Sequence, residues 1–95
     1  MKTIEIRIAG RVQGVGFRAC IKRIATNLGV VGEAMNLPDG RVLITAAAEP
    51  IILEKFVSML YGCPRVVIRD LTQREISPAT YPEFTIQRGS YQYST

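Results

Sequence analysis

The chain has no histidine, no tryptophan and only two cysteines, Cys20 and Cys63. Without histidine, the side chain that most often moves protons near neutral pH is missing, as is any Ser-His or Cys-His nucleophile pair. The same absence, with no C-x-x-C pair, leaves a zinc site short of ligands. No run approaches the 18 or so uncharged apolar residues of a membrane span. The first residues, Met1-Lys2-Thr3-Ile4-Glu5-Ile6-Arg7, alternate charged and apolar side chains where a signal peptide needs an unbroken apolar run, so a cytoplasmic protein is expected. Dense charge is absent too. Twelve Lys and Arg against eight Asp and Glu give a formal charge of +4, but the longest basic cluster is Lys22-Arg23. That describes a solvated basic surface, not a nucleic-acid arm. Aromatic residues are scarce, and none lies in Thr3–Ala9 or Arg41–Ala47, two segments that read as strands. An RNA binder built on such a sheet would need them for base stacking.

What is present is enough for one modest core: 95 residues, 47% of them hydrophobic. A single domain over residues 1–95 is expected, with a polar tail from about residue 89. Ile4, Ile6 and Ile8 alternate with Glu5 and Arg7, the pattern of a strand with one buried face. Phe17, Ile21, Ile24, Ala25 and Leu28 then form one helical stripe that ends at Gly29. Val30 to Asn36 reads as a second strand, Pro38-Asp39-Gly40 as a turn, and Arg41 to Ala47 as the returning strand. Pro50 opens a second helix with Leu53, Phe56, Val57 and Leu60 on its apolar side. Gly62, by a left-handed cap, and Pro64 are expected to close it. Val66 to Ile76 is a fourth strand, and Phe84 and Ile86 mark a fifth. This βαββαβ order, plus a short last strand, predicts an α+β, ferredoxin-like split βαβ sandwich. Two helices would cover one face of a mostly antiparallel sheet.

The loop between the first strand and the first helix carries the chemistry. Gly14-Val15-Gly16-Phe17-Arg18 puts two glycines and an arginine at a helix N-terminus. The first amides of a helix lack internal partners and the helix dipole adds positive potential, so an anion fits there. Arg18 adds a fixed charge and a planar, two-pronged donor. Other phosphate motifs fail. No Gly-Lys pair exists for a P-loop. Gly14-x-Gly16-x-x-Ala19 imitates a dinucleotide fingerprint, but the element order cannot build the parallel sheet which that motif serves. Cys63 and Arg69 have the C-x5-R spacing of a cysteine phosphatase, yet the intervening residues read as strand and would hold the two roughly 20 Å apart.

Ile8-Ala9-Gly10-Arg11-Val12-Gln13-Gly14-Val15-Gly16-Phe17-Arg18 resembles the first signature of the acylphosphatase family, and Gly32-Glu33-Ala34-Met35-Asn36 with Pro38-Asp39-Gly40-Arg41-Val42 is similar to the second. The resemblance runs from about residue 3 to residue 88. It departs at Glu33, where the family usually has an aromatic, and at Ala48, where it usually has glycine. By strand alternation Glu33 should face away from Asn36. The resemblance implies hydrolysis of acyl phosphates to a carboxylate and inorganic phosphate. It implies a phosphate held by the loop amides of Gln13, Gly14, Val15, Gly16, Phe17 and Arg18 and by the Arg18 side chain, and an attacking water positioned by Asn36. No metal or cofactor is expected. The expected partners are a small acyl phosphate, with phosphate or sulfate as product-like ligands, and neither nucleic acid nor membrane; the chain is expected to be a monomer.

The residues themselves leave alternatives. Asn36 alone reads as a turn former before Pro38. A module that binds phosphate or carbamoyl phosphate without chemistry, like the domain that fronts the hydrogenase-maturation carbamoyltransferases, would share the loop. Cys20 early in the first helix and Cys63 after the second lie at ends that antiparallel helices could bring close. A reducing cytosol favours two unpaired, small apolar side chains.

Overall fold

The computed structural model describes residues 1–88, so the expected polar tail lies outside the described residues. Five strands and two helices follow in the order β1 (Lys2–Arg11), α1 (Phe17–Leu28), β2 (Val31–Asn36), β3 (Val42–Ala48), α2 (Pro50–Leu60), β4 (Val67–Glu75) and β5 (Phe84–Gln87). They form one sheet in the order β4-β1-β3-β2-β5. All neighbours are antiparallel except β2 and β5, which run parallel. The split βαβ architecture is therefore the observed one.

Alternation decides which face is covered. Ile4, Ile6 and Ile8 of β1, Val42, Ile44 and Ala46 of β3, and Ala34 of β2 are all buried. They meet Phe17, Ile21, Ile24 and Ala25 of α1 and Leu53, Phe56 and Leu60 of α2 in one core. Phe84 brings β5 into it, its ring 6.2 Å from that of Phe56. The edge strand β4 stays largely exposed and carries Arg69, Asp70, Arg74 and Glu75. Such charges discourage edge-to-edge pairing with other chains. In its ion pairs, Arg74 with Glu5 at 3.0 Å and Lys2 with Glu75 at 3.9 Å, all but Glu5 are open to solvent, and such pairs contribute little to stability.

Several boundaries differ from the periodicity by a residue, each for a hydrogen-bonding reason. β2 starts at Val31 because the Val30 amide donates to the Ala25 carbonyl (2.8 Å) and completes the glycine-capped end of α1. β3 starts at Val42 because the Arg41 carbonyl accepts from the Leu37 amide (2.8 Å) within the turn. The end of α2 differs more. Gly62 does not take a left-handed conformation; the helix closes through short-range bonds from Gly62 to Met59 and from Cys63 to Leu60. The left-handed residue in this connection is Arg65, with φ 64°.

The cysteines are bonded to each other, against the expectation of two unpaired thiols. Antiparallel packing of α1 on α2 brings the Cys20 and Cys63 Cα atoms to 6.1 Å, within the normal span of a disulfide. Redox compartment says nothing of how closely two helix ends approach. The bond ties the first turn of α1 to the segment leading into β4.

Candidate active site

The site is built where β1 ends. The pairing of β1 with β4 shifts register between Ala9 and Gly10, and Gly10 sits at φ 138°. A Cβ there would collide with the Val67 carbonyl, so only glycine lets β1 bend at this point. The chain then turns through Gly14 (φ 74°) and Gly16 (φ 78°) into α1. Gly16 is the N-cap of α1 and offers no side chain to the orphan amides. Among the described residues, the N–H groups of residues 14–18 have no recorded acceptor. Left-handed turns of this sort fold successive amides toward a common centre and make an anion-binding concavity.

α1 has no acidic residue in its first turn and carries Arg18 there instead. A cation at the positive end of a helix is locally unfavourable, by about 0.3–1 kcal/mol. An anion between the amides and the guanidinium would reverse that sign. The Arg18 side chain is half-buried, and its Nη1 donates to the Gln87 carbonyl at 3.2 Å. The end of β5 thereby fixes the direction of the guanidinium.

Asn36 ends β2 on the same face as Ala34, toward the helices. Its Oδ1 is buried and accepts no hydrogen bond among the described residues. A buried acceptor that no protein group satisfies is one that a water in the adjoining cavity can use. Asn36 and Arg18 line one cavity of about 180 Å³ with Val12, Gly14, Gly16, Phe17, Ala19, Ile86 and Arg88.

The sequence-predicted residues divide between that cavity and its frame. Gly14, Gly16, Phe17, Arg18 and Asn36 line it; Gln13 and Val15 do not. Gln13 serves as a brace. Its Nε2 donates to the carbonyls of Leu37 and Arg41, each at 2.8 Å, and so ties the glycine loop to the β2–β3 turn just beyond Asn36. Glu33 lies on the opposite face, where its Oε1 accepts from Gln87 Nε2 at 3.2 Å. Ala48 is buried at the end of β3 beside Lys2, well away from the cavity. Sequence reasoning missed Val12, Ala19, Ile86 and Arg88. It also missed Arg65, whose guanidinium lies beside Gly16. Alternation along β5 could have placed Ile86 and Arg88 together on one face, but only the parallel pairing with β2 brings that face to Asn36.

Fold and cavity together define a small α+β protein whose cavity, at the junction of β1 and α1, is lined by a glycine loop and Arg18. The acylphosphatase family profile matches residues 4–86. An acylphosphatase from Thermotoga maritima is 41% identical over 88 residues, covering 92% of this chain and 98% of the relative. The crystal structure of acylphosphatase from Bacillus subtilis superposes with a TM-score of 0.88 at 32% identity, covering 92% of this chain and 99% of that one. HypF from T. kodakarensis is similar at 30% identity and TM-score 0.84, covering 95% of this chain but 12% of its own. The chain belongs to the acylphosphatase family. It is a hydrolase of acyl phosphates.

Proposed function

We propose that this chain hydrolyses the carboxyl–phosphate bond without a metal ion, with the loop amides and Arg18 holding the phosphoryl group and Asn36 orienting the water. The observation that carries this reading is the meeting of three features in one cavity: amides without acceptors, a tethered guanidinium and the unpaired Asn36 Oδ1. Water oxygen bonds to phosphorus as the phosphorus–oxygen bond to the acyl group breaks. The carboxylate leaves with the bonding electrons, and the water's proton passes to a phosphoryl oxygen. A carboxylate has a conjugate acid of pKa near ~4 and departs unprotonated, so the reaction asks for no general acid. That suits a chain without histidine. Positioning and charge stabilisation remain, and fixed amides with one guanidinium supply both without reorganising. Asn36 Oδ1 accepts a hydrogen bond from the water and aims its lone pair at phosphorus.

The reading also takes residues 1–95 as one cytoplasmic, monomeric domain with phosphate or sulfate as product-like ligands. The experiment is phosphate release from benzoyl phosphate, with and without a chelator, in wild type and Arg18→Ala. Activity that survives the chelator and collapses in Arg18→Ala is the expected result; loss on chelation would overturn the metal-free mechanism. The non-catalytic binding module is answered by the same assay, since it would bind phosphate and release none.

A further inference from the structure

Beyond Arg18, a second guanidinium belongs to the cavity, and its position follows from sheet register. β5 pairs in parallel with β2, with Ala34 opposite Ile86 and Met35 opposite Gln87. One more residue along both chains brings Arg88 beside Asn36. Its face is set by its neighbours. The Gln87 side chain donates to Glu33 on the open side of the sheet, and Ile86 lines the cavity. Alternation then directs Arg88 with Ile86 and Asn36, toward the cavity that Arg88 also lines. Arg88 is exposed and so open to a ligand arriving from solvent. The Gln87 carbonyl, which accepts from Arg18 Nη1, belongs to the peptide unit leading into Arg88. The two cations therefore line one cavity, Arg18 being bonded to the carbonyl of the residue that precedes Arg88. Like charges so placed repel each other, and a dianion between them turns the repulsion into attraction.

We propose that Arg88 is a substrate-binding residue that donates to a phosphoryl oxygen on the Asn36 side of the cavity, opposite the amides of the glycine loop. The inference rests on the reading of the site as a phosphoryl cradle. A phosphoryl group spreads its charge over three peripheral oxygens. Loop amides approach from the α1 side and Arg18 from its tether on the Gln87 carbonyl, leaving an oxygen on the Asn36 side for Arg88. Its role is binding, so KM and phosphate affinity respond first.

The test compares wild type, Arg88→Gln and Arg88→Lys by calorimetric titration with inorganic phosphate and by steady-state kinetics on benzoyl phosphate and succinyl phosphate. Loss of one charge-assisted hydrogen bond in Arg88→Gln is expected to weaken phosphate binding about tenfold. It should raise KM similarly for both substrates, and Arg88→Lys should recover part of the loss. Phosphate affinity within twofold of wild type in Arg88→Gln would overturn the proposal. So would a defect confined to succinyl phosphate, which would place the guanidinium at the acyl end. If wild type released no phosphate from benzoyl phosphate while Arg88→Gln still weakened phosphate binding, the hydrolytic reading would fall and this contact would stand.

Discussion

Replacing Cys20 and Cys63 together by alanine removes the cross-link between α1 and the segment after α2 while leaving no new polar atom in the core. Both residues are buried at 5% exposure, so alanine needs no hydrogen-bond partner there. The bond joins positions 43 residues apart. Closing a loop of that length in the unfolded chain removes about 13 cal/mol/K of entropy, or about 4 kcal/mol at room temperature. For a domain of this size, each kcal/mol moves the melting temperature by about 4–8 °C, so the double variant should melt about 15–30 °C lower. A reductant should produce the same drop in wild type and none in the variant. Activity below the transition should stay within about threefold of wild type. Arg18 is held by Gln87, and the glycine loop by Gln13, and neither contact runs through the sulfurs. Circular dichroism melts with and without reductant, beside thiol labelling of the denatured chain, make the measurement. A drop of less than about 5 °C, or two labelled thiols before reduction, would refute the reasoning.

Further outcomes follow from the site. Arg18→Ala should cost about 10²–10⁴ in kcat/KM, because one or two charge-assisted bonds of about 1.5–3 kcal/mol each are lost, and phosphate should no longer raise its melting temperature. Arg18→Lys should remain well below wild type, since a point charge cannot reproduce the planar fork; near-normal turnover would sink the assignment. Asn36→Ala should lose about 10²-fold in kcat with KM little changed, yet unfold close to wild type, because its Oδ1 makes no hydrogen bond to another protein group among the described residues. A melting temperature well below wild type would show that Asn36 is a structural residue instead. Gln13→Ala should destabilise by about 1–3 kcal/mol and slow the reaction, because it severs both bonds between the loop and the β2–β3 turn. Denaturant titration beside kinetics separates the two effects.

Local periodicity is why the elements could be read from the chain. The isoleucines of β1 and the stripe from Phe17 to Leu28 record a burial pattern that any compact arrangement must respect. The glycine loop could be read for the same reason: left-handed turns at a helix start need Gly14 and Gly16 within a few residues of each other. Hydrogen bonds between distant segments have no such trace. Gln13 finds Leu37 and Arg41 across 24 and 28 residues, and the orphaned state of Asn36 Oδ1 depends on everything packed around it. By residue type Gly62 suits a left-handed cap, but the chain turns tightly there and Arg65 takes the left-handed conformation instead.

By itself, then, the amino-acid order determined the strand and helix pattern, the glycine loop with Arg18 at a helix start, and the resemblance that pointed to acyl phosphate chemistry. Only tertiary structure decided the bond between Cys20 and Cys63, the brace from Gln13 and the arrival of Arg88 beside Asn36. Each of these depends on distances between segments remote in sequence. Such distances are set by how two helices and five strands fill a single core, and no short window of residues encodes them.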